Sequence, residues 1–154
     1  MSDGSLRYTG CGLENVFLRN GFQVYEGKDG EERVLIQDLE GLHRAIAAAV
    51  ASSPAPLDAK TFRFLRKEQD MSQRQIAAIL GVEEQTVSGW ERARYPIPQS
   101  ADLVLKGLTN ECLNGNAELG RMIERFNSLD RDTRAMGAIE LAQADGHWDL
   151  IQAA

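Results

Sequence analysis

Cysteines and other metal ligands are scarce in this sequence. Its 154 residues include only two cysteines, Cys11 and Cys112, which lie about 100 residues apart without a C-x-x-C spacing. Neither a disulfide framework nor a structural zinc site is therefore indicated. His43 and His147 also stand without a set of Cys, Asp or Glu at metal-ligand spacing. We predict no metal and no cofactor.

Long apolar runs and catalytic motifs are lacking as well. No stretch approaches the ~18 consecutive apolar residues of a membrane span, and the first residues have neither the basic start nor the apolar run of a signal peptide. The glycine-rich stretch at 8–12 lacks the Lys-Ser/Thr end of a phosphate-binding loop. We expect a cytoplasmic protein that is not an enzyme and does not contact a membrane.

An excess of positive charge is also missing. The formal net charge of −6 is unusual for a protein that binds nucleic acid, so the distribution of charge matters more than its sum. Residues 1–57 contain five basic and eight acidic side chains, and residues 95–154 contain five and nine. Residues 58–94 contain seven and six, so only the middle of the chain is not acidic.

The N-terminal part contains a hairpin pattern. Two β-rich segments, 15–19 and 22–26, flank Asn20-Gly21. Asn-Gly supplies the two positive-φ residues of a type I′ turn, so the pattern predicts that these segments pair as a β-hairpin.

A third strand and a helix are predicted to follow. Residues 33–37 favour a strand, and Asp38 can cap a helix with apolar residues along one face. These apolar residues are Leu39, Leu42, Ile46 and Val50. Two prolines within 52–56 break the helix, which predicts a small β-β-β-α domain over 1–53.

Residues 71–91 predict two short helices joined by a turn. Ser72 and Gln75 form a capping box, in which each side chain satisfies a backbone N–H of the first turn. Gly81 ends this helix, because glycine takes a left-handed conformation at low cost.

The second helix of the pair has an apolar side and a polar side. Val87 and Trp90 have the i, i+3 spacing of an inward face. The residues predicted on the exposed side are Glu84, Gln85, Ser88 and Gly89.

This stretch resembles the lambda-repressor-like (Cro/cI, or Xre-type) helix-turn-helix family. The family pattern is close to Ser-Gln-x-x-[Ile/Leu]-Ala-x-x-Leu-Gly-Val-x-x-x-Thr-[Val/Ile]-Ser-x-Trp-Glu, and the resemblance covers about Asp58 to Arg94. It implies a helical DNA-binding domain, placed at 57–112, whose second helix of the pair lies in the major groove of double-stranded DNA. The whole chain is then expected to be α+β and mostly α.

The resemblance also implies roles for individual residues. Bases would be contacted by the outer residues of the second helix, Glu84, Gln85, Ser88 and Gly89. Phosphates would be held by polar and basic side chains on and around the helix pair, namely Lys67, Gln73, Arg74, Thr86 and Arg94. The family commonly pairs an arginine of its first helix with the glutamate of Trp-Glu, which here would join Arg66 to Glu91 as a structural ion pair.

Two residues depart from the family pattern. Ala93 stands where a glycine usually follows Trp-Glu. Glu83 stands where Ser, Thr or Asp usually begins the second helix of the pair, which is the recognition helix. We expect a poor helix cap at Glu83 and a β-carbon at the helix exit.

Residues 116–154 are predicted to form a helical extension that builds a dimer. A first helix has an apolar stripe, and Asp130 can cap a further helix that contains Met136 and Ile139. The residues assigned to the dimer are Leu119, Met122, Ile123, Phe126 and Trp148. The competing interpretation is that these helices fold back on residues 1–50 of their own chain.

Two functions of different classes fit these observations. The leading hypothesis is a homodimeric transcriptional regulator that represses its own operon by binding a palindromic operator. The order of the two domains also resembles two-domain antitoxin regulators, whose N-terminal part often binds zinc through two C-x-x-C pairs that are absent here. The alternative is therefore an antitoxin-like protein whose N-terminal domain binds and neutralises a partner such as a toxin.

Overall fold

The computed structural model describes residues 4–116, 118–128 and 137–151, which form an α+β fold that is mostly helical. Its N-terminal part contains four short strands and a helix. They are β1 (Leu6–Arg7), β2 (Phe17–Leu18), β3 (Phe22–Glu26), β4 (Glu32–Ile36) and α1 (Leu39–Ser52). Asp38 caps α1, since its side chain accepts the N–H of Gly41.

The hairpin predicted at Asn20-Gly21 is wrong. β2 pairs antiparallel with β1, and β3 pairs with β4, so Asn20-Gly21 connects two separate ribbons. β3 pairs with β4 over five residues from Phe22↔Ile36 to Glu26↔Glu32, whereas β2 contributes two residues to its pair. The longer ladder and its cross-strand apolar pairs outweigh the preference of the Asn-Gly turn. We call β3 and β4 together the N-terminal ribbon.

Five helices follow. They are α2 (Ala59–Glu68), α3 (Gln73–Leu80), α4 (Glu84–Glu91), α5 (Gln99–Leu113) and α6 (Glu118–Ser128). In the described part of the chain, none of the helices has the length and apolar composition that crossing a bilayer requires.

The helices enclose one hydrophobic core. Its largest fully buried apolar side chains are Phe62, Leu65, Ile76, Val87 and Leu105. Leu103 on α5 is exposed. Leu105 and Leu108 occupy the inward face of α5.

The N-terminal part packs on the same core. Leu13, Ile46 and Ala47 belong to the buried cluster that contains Phe62 and Leu65. The segment 53–57 between the two parts is held by α5. The backbone N–H of Leu57 donates to Asp102 Oδ2 (2.7 Å), and Lys106 Nζ donates to the carbonyl of Ala55 (2.8 Å) and lies 3.0 Å from Asp102 Oδ1. The division into domains at 1–53, 57–112 and 116–154 stays a prediction.

The C-terminal part consists of a helix and a hairpin. α6 packs on α3 and α5, and Gly120 lies against Ile79 and Leu108. β5 (Leu141–Ala144) and β6 (His147–Leu150) then pair antiparallel. The predicted further helix is therefore wrong at Ile139, which lies two residues before β5 in non-helical structure. Asp130 and Met136 lie outside the described residues.

The turn chemistry explains this difference. Asp145 and Gly146 join β5 to β6 with φ angles of 52° and 81°, the two positive values of a type I′ turn. On β6, apolar Trp148 and Leu150 alternate with polar His147 and Asp149. Asp-Gly between two strand segments is a hairpin pattern, which helical periodicity does not reveal.

Candidate nucleic-acid interface

Both ends of α3 are fixed by local hydrogen bonds. Ser72 Oγ accepts the N–H of Gln75 (3.0 Å), and Gln75 Oε1 accepts the N–H of Ser72 (2.8 Å), which confirms the predicted capping box. Gly81 ends the helix with a φ of 71°, and the N–H of Val82 returns to the carbonyl of Ala77 (3.0 Å). These bonds determine the direction in which the chain enters α4.

The inner face of α4 is packed against α2. Val87 is fully buried, and Trp90 is nearly so. The Trp90 ring meets Phe62 edge-on, with 5.6 Å between the ring centroids. Because interiors are close-packed, α4 has little freedom to rotate about its axis. The residues on its outer face therefore have a defined direction.

A buried ion pair joins the end of α4 to α2. Arg66 Nε donates to Glu91 Oε2 (2.7 Å) and Arg66 Nη2 donates to Glu91 Oε1 (2.8 Å), a bidentate arrangement. Arg66 Nη1 also donates to the carbonyl of Met71 (2.8 Å), at the start of the turn before α3. One guanidinium therefore connects three segments of the helix-turn-helix.

Gln73 belongs to the same network. Its side-chain amide donates to Glu91 Oε1 (3.2 Å), and the residue is half-buried. The sequence assigned Gln73 to a DNA phosphate. In this structure its amide contacts Glu91, so a phosphate would have to share or displace that bond.

The outer face of α4 is shorter than the sequence suggested. Glu84 and Gln85 are exposed, and Thr86 and Ser88 are half-buried. Gly89, which was expected on the same face, is buried beneath the ring of Tyr95. A β-carbon at this position would lie 2.4 Å from a ring carbon, so the glycine provides room for the tyrosine, and its placement on the exposed side was wrong.

Tyr95 was missed by the sequence analysis. Its ring covers Gly89 and is still more than half exposed, beside the C-terminal half of α4. The chain turns back there at Ala93, whose φ is 58°, and the N–H of Arg94 donates to the carbonyl of Gly89 (2.8 Å). The small residue at 89 is the only sequence signal for this contact. It gave no indication of which side chain would fill the space.

The start of α4 differs from that of α3. Glu83 occupies the N-cap position, and its side chain makes no capping hydrogen bond, as the sequence led us to expect. α4 is therefore held in place by its buried side and by the ion pair at its end, and not by its first turn.

Several acidic side chains of the helix-turn-helix are engaged by other groups. Asp58 caps α2 through the N–H of Thr61 (2.8 Å). Glu68 contacts His43 Nδ1 (2.6 Å), and Glu91 is paired with Arg66. Of the six acidic residues in 58–94, the remaining three are exposed and make no contact of this kind among the described residues. They are Asp70, Glu83 and Glu84.

More of the basic side chains stay uncompensated. Lys60 pairs with Glu14 of the N-terminal part, and Arg66 is buried with Glu91. Within residues 4–116, 118–128 and 137–151, the other five basic residues of the segment form no ion pair, and all are exposed. They are Arg63, Lys67, Arg74, Arg92 and Arg94. The surface around the helix pair therefore exposes five cations that are unpaired within the described part of the chain.

No metal-binding group accompanies this surface. The described residues contain no cluster of three or more His, Cys, Asp or Glu side chains, and Cys11 and Cys112 are not in a disulfide.

Comparison with known families identifies the segment that carries this surface. Residues 62–105 match a family model described as a helix-turn-helix. This part of the chain is a lambda-repressor-like helix-turn-helix. The match supports a DNA-binding transcriptional regulator, and members of the matched family are not typically enzymes. No curated protein and no solved structure matches the chain significantly.

Proposed function

We propose that the protein is a homodimeric repressor that binds an inverted repeat, with α4 of each copy in a major groove. The observation that carries this proposal is the set of exposed cations around α4, which form no ion pair within the described residues. The inner face of α4 is packed against α2, which fixes the orientation of its outer face. Positive side chains beside the recognition helix can neutralise phosphates while the helix contacts base edges.

Base contacts would come from the first two turns of α4. Gln85 is exposed and long enough to bond both N6 and N7 of adenine, and Glu84 can accept from the amino group of cytosine. Ser88 lies one turn after Glu84 and would contact a base where the groove is closest. Gly89 is removed from the set of base contacts that we propose, because Tyr95 covers it.

Phosphate contacts would surround this face. Lys67, Arg74 and Arg94 are exposed and unpaired within the described part of the chain, and they suit salt-dependent binding to the backbone. Gln73 and the Thr86 hydroxyl would add neutral bonds to phosphate, with Gln73 exchanging its bond to Glu91.

A dimer is part of the proposal because one module contacts little DNA. Two copies on half-sites about 10 base pairs apart gain affinity, since binding of the second is intramolecular. Occupation of a promoter in this way would repress the operon that encodes the protein. The protein would act in the cytoplasm, beside the chromosome.

The test is binding to DNA from upstream of the gene, compared with a scrambled sequence, by fluorescence anisotropy. Gln85→Ala should lose about 1 to 3 kcal/mol on the cognate site and relax the preference at one base position. Gln23→Ala, at an exposed glutamine of the N-terminal ribbon, is the matched control and should bind normally. Equal affinity of the wild type for cognate and scrambled DNA would contradict the proposal.

A second function is favoured by the N-terminal ribbon. Val24, Tyr25, Val34 and Leu35 on its two faces are all exposed, and exposed apolar patches are typical of protein-binding sites. An antitoxin-like role would use this ribbon to bind a toxin encoded beside the gene. Co-expression with the neighbouring gene product tests it: Val24→Ser with Leu35→Ser should abolish both the complex and the rescue of growth. A stable complex with that variant would contradict the role.

A further inference from the structure

The helix expected to form the dimer is largely used by its own chain. Leu119 and Ile123 pack on the hydrophobic core of the same molecule, and α6 contacts α3 and α5. Met122 is exposed, while the side chain of Phe126 lies outside the described residues. The described side chains of α6 therefore offer little apolar surface to a second molecule.

The hairpin that follows has one side that is apolar apart from Gln143. The register places Leu141 opposite Leu150 and Gln143 opposite Trp148 on this side, and Ile139 precedes Leu141 by two residues, so it extends the same side. We define the hairpin face as the four large apolar residues on it. They are Ile139, Leu141, Trp148 and Leu150, each between 54% and 66% exposed.

The charges of the hairpin lie elsewhere. The opposite side contains the pairs Ala142↔Asp149 and Ala144↔His147, and His147 Nε2 lies 3.0 Å from Asp149 Oδ2. Asp145 lies in the turn. The hairpin face itself carries no ionisable group.

An isolated face of this kind is unfavourable. A two-stranded hairpin is at best marginally stable without a second layer, and soluble monomers seldom expose a contiguous apolar patch. In the part of the chain that the structure describes, β5 and β6 make their substantial contacts only with each other. The hairpin face thus lacks a covering layer within the described molecule.

We propose that the hairpin face binds the hairpin face of a second copy, and so holds the dimer that the proposed function requires. Two copies with a net charge of −6 repel each other over most of their surfaces. The hairpin face is uncharged, and a two-fold arrangement of it directs Asp145 and Asp149 away from the contact. Identical apolar faces are also self-complementary, as a two-fold interface demands.

The size of the face predicts a weak dimer. Four side chains that are somewhat more than half exposed offer on the order of 500 Å² per copy, compared with about 800 Å² per partner in a standard interface. The dimer should therefore dissociate in the micromolar range without DNA and should be completed on the operator.

The first test needs no DNA. The protein has two tryptophans, of which Trp90 is buried in the core and Trp148 is on the hairpin face. Dilution from about 100 µM to below 1 µM should shift the emission to longer wavelength as Trp148 enters water, and sedimentation should show dimers becoming monomers over the same range. A protein that stays monomeric at 100 µM, or dimeric with unchanged emission, overturns the proposal.

Variants locate the contact. Leu141→Ser with Leu150→Ser should be monomeric at all these concentrations, and a normal melting curve should show that the helical core still folds. Val24→Ser with Leu35→Ser, at residues of the N-terminal ribbon that are 51% and 55% exposed, is the matched control and should dimerise normally. Dimerisation of the hairpin variant, or its loss in the control, overturns the assignment.

Binding to DNA separates this proposal from the proposed function. On a single half-site the hairpin variant should match the wild type, whereas on the full inverted repeat it should bind about 10- to 100-fold more weakly. Equal affinity of variant and wild type on the full repeat contradicts the hairpin face as the dimer contact. Failure of the wild type to prefer any operator contradicts the proposed function and leaves the measurement of dimerisation standing.

Discussion

The helix-turn-helix differs from the N-terminal ribbon and the β5–β6 hairpin in how its apolar side chains are buried. Between residues 58 and 94, the inner faces of the helices are buried, the starts of α2 and α3 are capped, and the one buried ion pair is bidentate. In the N-terminal ribbon and the β5–β6 hairpin, large apolar side chains are exposed to solvent. Among the described residues each of these sheets consists of two strands, β3 with β4 and β5 with β6. The recognition unit is therefore complete within one chain, while the ribbons present surfaces typical of contacts with other molecules.

The largest effect on stability is expected from breaking the buried ion pair. Arg66→Ala leaves the Glu91 carboxylate, whose side chain is 4% exposed, without its cation. The free energy of unfolding should fall by about 3 to 5 kcal/mol, measured by urea denaturation and circular dichroism. Arg33→Ala, which breaks the exposed pair with Asp29 on the N-terminal ribbon, should leave the free energy of unfolding nearly unchanged. Similar losses for the two variants would contradict the contrast between the regions.

A smaller effect is expected where Tyr95 covers α4. Gly89→Ala places a β-carbon 2.4 Å from the ring, so it should lower the free energy of unfolding by about 1 to 3 kcal/mol. In a Tyr95→Ala background the same change should cost nothing or stabilise, because alanine has the higher helix propensity. A double-mutant cycle measures this coupling, and additive effects would show that the two residues do not interact.

The smallest effect concerns the cap of α2. Burial raises the pKa of Asp58, but hydrogen bonds from the backbone and hydroxyl of Thr61 outweigh it, so the pKa lies below its ordinary value. A carboxyl with a lower pKa in the folded state stabilises the protein above its unfolded pKa, roughly pH 4, and this contribution is lost as the pH falls through the folded value.

Asp58→Ala should therefore cost about 1 kcal/mol at neutral pH and less in acid, as followed by urea denaturation at pH 7 and pH 3. Glu83→Ala is the matched control, because that side chain occupies the N-cap of α4 without making a capping bond. A pH-independent loss for Asp58→Ala, or an equal loss for Glu83→Ala, would contradict this account.

Local chemistry made the helix-turn-helix predictable. The capping box of Ser72 and Gln75 and the left-handed Gly81 depend on residues a few positions apart, so the sequence contains the whole interaction. The Arg66–Glu91 contact could be expected only from the resemblance to a family, since its partners are 25 residues apart.

The β-ribbons were harder because strand pairing is not local. Asn20-Gly21 has the composition of a hairpin turn, but β3 pairs with β4 over five residues. The dipeptide therefore connects β2 to β3 without closing a hairpin. Asp145-Gly146 has equivalent turn chemistry and does close a hairpin. Turn residues indicate where a chain can reverse, but the available partner strands decide which ribbons form.

The contact between Gly89 and Tyr95 could also not be predicted from the sequence. The interpretation of α4 as a helix with an outer polar face was based on spacing alone, and spacing does not show that the chain after Ala93 returns across that helix. The expected exposure of Gly89 was therefore wrong, because Tyr95 covers it.

The most direct test of the proposed DNA contact is the salt dependence of operator binding by Arg74→Gln compared with Lys60→Gln. Arg74 is exposed and unpaired within the described residues, whereas Lys60 is paired with Glu14. If Arg74 holds a phosphate, its loss should reduce the slope of log K against log salt by about 0.9, and the Lys60 variant should keep the wild-type slope. Equal slopes for all three proteins, repeated for Lys67→Gln and Arg94→Gln, would contradict the assignment of the DNA-binding surface to the unpaired cations around α3 and α4.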